Sequence, residues 1–150
     1  MTDYLKRVLK EKVKRALENN WRHKTIENLE KQNFGNPNEA PTNMVKRCLE
    51  LCKVPLNQFT VEDLRLMIGQ NFSLRHLIPL SIEHLKTDIF VEGDYYPGDL
   101  LKNVLSVDTK FWTDNKPLWN EVNELIKNKR HELVSQEIPT TLFDKALGEK

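Results

Sequence analysis

Cysteine, glycine and proline are scarce in this chain, and so are long apolar runs and any excess of one charge sign. The 150 residues include two cysteines, Cys48 and Cys52, four apart where a helix is expected. That spacing sets both on one face with Val45 and Leu49, which suits neither a disulfide nor a CxxC redox or zinc pair. They read as buried thiols behaving as small hydrophobes. Five glycines and seven prolines against 30% charged residues suit a helical protein better than a sheet rich in Val, Ile and Thr. No stretch approaches the roughly 20 apolar residues of a membrane span, and Met1–Arg7 lacks a signal peptide's apolar core. The expected location is therefore the cytoplasm, with no membrane partner. The formal net charge is +1, so the whole chain is neither a general polyanion binder nor an acidic decoy. His23, His76, His84 and His131 are scattered, with no HExxH and no regular ligand spacing. No nucleophile–base pair at informative spacing and no phosphate loop is present, so no catalytic residue, cofactor or metal is assigned.

What is present is helical patterning. Thr60-Val61-Glu62-Asp63 has the form of a capping box with Asp in place of the usual Glu. Val61, Leu64, Met67 and Ile68 then share a face, with Gly69 and Asn71 as the stop. The pattern repeats from Ser73 through Leu74, Leu77, Ile78, Ile82 and Leu85, where Pro79 predicts a kink or a late start near Leu77. These two helices form a central αα-hairpin.

Upstream, Leu5, Val8, Leu9, Val13, Ala16 and Leu17 mark a first helix, Thr25 caps a short second one, and Thr42 caps a third bearing both cysteines. Downstream, Leu100, Leu101, Val104 and Leu105 mark another, and Asp108 caps a turn that delivers Phe111 and Trp112. A last long helix starts after Asn115 with Leu118, Val122, Leu125, Ile126 and Leu133 inward. The fold class is all-α: one compact domain over residues 1–150, about six to eight short helices around the central hairpin, with a loose tail from about residue 136. Leu142 and Phe143 are candidates to fold back on the body, and Gly148–Lys150 are expected to be loose. Ile89-Phe90-Val91 is the one run suited to an edge strand.

Two regions carry functional interest. Between Thr87 and Asp99, four acids and no base accompany Phe90, Tyr95 and Tyr96. Such a loop suits a cationic partner, because carboxylates pair with Lys or Arg and tyrosines supply rigid contact area. The alternative is a structural role in starting the next helix, which is the reading for Pro97, Gly98 and Asp99. The candidate contact residues are Asp88, Glu92, Asp94, Tyr95 and Tyr96, together with Trp119, which sits one position off the inner stripe of its helix. The second region is the basic outer face of the first helix, Lys6, Arg7, Lys10, Lys12, Lys14 and Arg15. It is either a solvated face or a nucleic-acid contact, and the lack of interleaved aromatics favours the former.

Several segments together resemble one family. They are Thr25–Glu30, Arg47-Cys48-Leu49, Pro55-Leu56, Phe59–Gln70 (with TVEDLR and MIGQ), Leu77–Leu80, Glu92–Leu101 (with YPGDLL) and Phe111-Trp112. From about Thr25 to about Leu133 the chain resembles the immunity proteins of bacterial contact-dependent growth inhibition systems. The resemblance implies a small cytoplasmic protein that binds and blocks the C-terminal toxin domain delivered by a neighbouring cell. It implies no reaction, no cofactor and no nucleic-acid partner; a monomer or a 1:1 complex with the toxin is expected. Members pair with different toxins, so the shared motifs are better read as scaffold than as contact surface. The competing class is a helical nucleic-acid-binding or regulatory module using the basic first helix, which predicts salt-sensitive retention of DNA or RNA.

Overall fold

The computed structural model describes residues 2–148, the side chains of residues 15–19 excepted. Arg15, Ala16 and Leu17 of the expected first helix therefore have side chains outside the described residues, and the expected looseness of Glu149 and Lys150 falls outside them altogether. Among the described residues there are ten α-helices and no strand, so the fold is all-α. The Ile89–Val91 run forms no strand; an isolated bridge between Glu92 and Pro97 lies just beyond it. The chain divides into two compact units, Met1–Phe59 and Thr60–Lys150.

The first unit holds α1 (Asp3–Asn19), α2 (Ile26–Glu30) and α3 (Asn43–Leu51), linked by short 3-10 turns. Local capping sets two of the helix starts. Thr25 and Asn28 exchange side-chain and backbone bonds of 3.0 and 3.3 Å, and Thr42 Oγ1 accepts from the Val45 N–H at 3.1 Å. The core is Ile26, Cys48, Leu51, Cys52 and Leu56. Around it, the Glu27 N–H donates to the Cys52 carbonyl and the Leu56 N–H to the Lys24 carbonyl. Lys53 Nζ donates to Glu27 at 2.8 Å, which holds that carboxyl below its usual range. Three residues of the α1 stripe stay outside this core: Leu5, Leu9 and Val13 are 48, 47 and 59% exposed. Periodicity declares a helix, but it does not supply a neighbour to cover its apolar side.

Both cysteines are free and buried, and burial pushes the Cys52 thiol up to about 12. Because the thiolate is the reactive form, neither is expected to react with a thiol-exchange reagent in the native protein at neutral pH. Both are expected to react once denatured. Rapid labelling of the native protein would show that the inner face of α3 is open.

The second unit holds α4 (Val61–Gly69), α5 (Leu74–Thr87), α6 (Asp99–Leu105), α7 (Thr109–Asp114), α8 (Lys116–Ile126), α9 (Arg130–Ser135) and α10 (Thr141–Phe143). The capping box at Thr60 forms as read, with bonds of 3.0 and 3.1 Å to Asp63. Asn71, at φ +63, ends α4: its N–H bonds the Ile68 carbonyl and the Phe72 N–H bonds that of Met67, a Schellman closure. α5 starts at Leu74 and continues through Pro79 rather than starting late. Ser73 stands at its N-cap in a left-handed conformation and makes no side-chain cap bond. Helix α4 packs against both α5 and α6, so the expected hairpin gains a third member.

The remaining differences arise at the C-terminal end. The predicted long last helix divides into α8 and α9, and α10 is additional. From Gln136, where the sequence suggested a loose tail with Leu142 and Phe143 as candidates to fold back, the chain buries Ile138 and Phe143 (3 and 0% exposed) and leaves Leu142 45% exposed. Asp144 clasps the Arg130 guanidinium through two bonds of 2.8 and 2.9 Å, and Thr140 Oγ1 donates to the same carboxylate.

Candidate functional site

The loop between α5 and α6 is built around a carboxylate that faces inward. Asp99, 2% exposed at the start of α6, accepts the Gly93 N–H at 2.7 Å on one oxygen. Its other oxygen accepts the N–H groups of Tyr95 at 3.1 Å and Tyr96 at 3.5 Å. Three backbone amides within four residues thus hang on one side chain, and Arg65 Nε stands 4.0 Å from the second oxygen, so the buried charge is satisfied mainly by N–H donors with a long ion pair beside them.

A second clamp comes from α4. Glu62 Oε1 accepts the Asp94 N–H at 2.9 Å, while both its oxygens hold Arg65 at 2.6 Å. The Arg65 bond holds the Glu62 carboxyl below its usual range. The stability this pair contributes is complete above the ordinary carboxylate pKa and is lost only as pH falls through the lowered value. Arg65 lies 4.3 Å from the Tyr95 ring centroid, a cation–π pair, and its carbonyl is held by Asn103 at 2.8 Å. Gly93 is required by close approach, since a Cβ there would stand 2.7 Å from Glu62 Oε1. Gly98, at φ +88, makes the left-handed turn into α6.

These clamps leave the outward side chains available. Glu92 and Asp94 are exposed and form no ion pair among the described residues. Tyr95 is 68% exposed and Tyr96 39%, with Lys102 Nζ 5.8 Å from the Tyr96 ring centroid. Asp88 is exposed at the end of α5, where Oδ1 accepts the Phe90 N–H at 2.9 Å. The loop therefore presents three carboxylates and two tyrosines on a backbone fixed in advance.

Trp119, grouped with them on sequence grounds, does not belong there. It is buried, its ring stacks on Phe143 at 4.9 Å, and its indole N–H donates to the Phe143 carbonyl at 2.8 Å. The inward face of α8 is Trp119, Val122 and Ile126, with Leu118 and Leu125 half-buried, because the C-terminal segment covers the side on which Trp119 lies. Sequence reasoning also missed Glu62, Arg65 and Asp99 as the supports of the loop. The three-residue spacing of Glu62 and Arg65 was a legible signal for a helical ion pair; nothing in the sequence showed that Asp99 turns inward.

Among the described residues, no three His, Cys, Asp or Glu side chains converge as a metal site requires, and no helix is long and apolar enough to cross a membrane. The molecule is thus an all-α scaffold bearing a preformed acidic, tyrosine-rich loop. The family model for CDI immunity proteins matches residues 28–122, and the chain belongs to that family. The match covers α3 to most of α8, and with them the whole loop. No curated protein and no solved structure matches the chain.

Proposed function

We propose that this protein binds the toxin domain of its own contact-dependent growth inhibition system in the cytoplasm and neutralises it by occlusion, without turnover, and that the loop from Asp88 to Tyr96 is the contact. The observation that supports the contact is the anchoring of an exposed acidic loop by Asp99 and Glu62, since a surface ordered before binding loses little entropy on association. Its charge suits a cationic cleft such as that of a nuclease, which is the toxin class we infer. Saturating a toxin present at few copies calls for nanomolar affinity, about 12 kcal/mol. An interface near the standard size of about 1,600 Å² with a few central anchors supplies it.

The test needs the cognate toxin domain, to be sought as the variable C-terminal domain of a large secreted protein encoded next to this gene. Reversing Asp88, Glu92 and Asp94 to lysine is expected to slow association by roughly ten- to a hundredfold at low ionic strength, and less at high. The Glu92→Lys/Asp94→Lys double variant leaves the Asp88 turn intact and controls for folding. Unchanged affinity and unchanged protection of cells in both variants would remove the loop from the interface.

A second reading has one observation in its favour: Lys6, Arg7, Lys10 and Lys14 are all exposed on α1. A nucleic-acid-binding role predicts salt-sensitive retention of DNA or RNA by the protein alone, whereas the toxin-binding role predicts none.

A further inference from the structure

Tyr96 and Pro97 form one wall of an open recess of about 350 Å³, completed by Lys102, Gln136 and Glu137. Among the described residues, Glu137 is one of four non-glycine residues with a left-handed backbone. It follows the α9 C-cap at φ +58, with its N–H bonded to the Val134 carbonyl at 3.0 Å and the Ile138 N–H bonded to that of Leu133 at 2.9 Å. This is the position of a Schellman motif that glycine fills most easily. Here the position is filled by a glutamate that is exposed and in no ion pair among the described residues.

The chemistry of the walls indicates what enters. Tyr96 offers a half-open ring face, and Lys102 Nζ stands 5.8 Å from its centroid, close to the limit of about 6 Å for such contacts. Glu137 supplies a carboxylate in no ion pair among the described residues. A planar guanidinium matches both a carboxylate and an aromatic face, which an ammonium does less well.

We propose that this recess receives an arginine side chain of the protein partner, stacked on Tyr96 and paired with Glu137, with Lys102 displaced from the ring. The inference rests on the toxin-binding reading and names the group by which the partner is anchored.

The probe is N-acetyl-arginine amide, titrated into the full chain and followed by amide chemical shifts, with acetate in parallel. Saturable shifts at Tyr96, Lys102, Gln136 and Glu137 are expected in the millimolar range with the arginine probe. Glu137→Gln and Glu137→Gly are expected to abolish them, the glycine variant with no loss of melting temperature because glycine suits a left-handed backbone. Lys102→Ala is expected to tighten binding several-fold by removing the competing cation. Saturation by acetate that is lost in Lys102→Ala would overturn the proposal in favour of an anionic ligand, and so would the absence of any saturable shift with the arginine probe. With the cognate toxin domain, Glu137→Gln is expected to weaken binding at least about tenfold. A wild-type chain that ignores that domain yet binds the arginine probe would sink the toxin reading and leave the recess chemistry standing.

Discussion

Replacing Phe143 with alanine is expected to lower the stability of the second unit by about 3–5 kcal/mol, the usual cost of emptying a large aromatic site. Phe143 is fully buried. Its ring meets Trp112 edge-on at 5.2 Å and stacks on Trp119 at 4.9 Å, and aromatic pairs of this kind add about 0.5–1.5 kcal/mol beyond the area they bury. The cavity would open against the Trp112 ring, whose Nε1 is buried with no hydrogen-bond partner among the described residues. It would also loosen the segment whose carbonyl accepts the Trp119 indole N–H. Denaturant unfolding followed by tryptophan emission measures the loss. A change of less than about 0.5 kcal/mol, typical of a surface position, would show that the C-terminal segment does not dock as described.

Asp99→Ala carries the second large effect, because it strips three loop amides of their acceptor at once. Leaving buried donors unsatisfied costs about 1–3 kcal/mol each when no water reaches them. The loop can relax toward solvent, so a total on the order of 3 kcal/mol is expected. The more informative readout is local. Amide exchange at Gly93 and Tyr95 should accelerate far more than at the α5 and α8 core, and toxin affinity should fall although Asp99 itself is not exposed to a partner. Asp99→Asn keeps one carbonyl acceptor and should fall between the two. Unchanged exchange at Gly93 and Tyr95 in Asp99→Ala would mean that the loop is held by something else.

The parts of the fold that could be read in advance are those with short reach along the chain. Thr25, Thr42, Thr60 and Asp108 cap helices through bonds to residues two or three positions on, so their signal is complete within four residues. The same is true of the α6 stripe Leu100, Leu101, Val104 and Leu105, all buried. Trp119 was misplaced because the group that covers it, Phe143, lies 24 residues away, beyond any local pattern. Leu5, Leu9 and Val13 were legible as part of a stripe on α1, whereas their exposure was not, since amphipathic spacing says nothing about whether a neighbour arrives. The acidic loop stood out by composition. Its rigidity did not, because it depends on Glu62 reaching Asp94 across 32 residues and on one aspartate among several turning inward.

Sequence alone therefore determined the helical class, most helix starts and the location of the acidic, tyrosine-rich loop, since propensity, capping and charge are properties of neighbours along the chain. Tertiary structure decided which faces those helices bury, that the C-terminal segment is docked, that Trp119 belongs to the core and that Asp99 organises the loop. Each of these rests on groups far apart in sequence meeting in space, where burial and hydrogen-bond satisfaction, not periodicity, select the outcome.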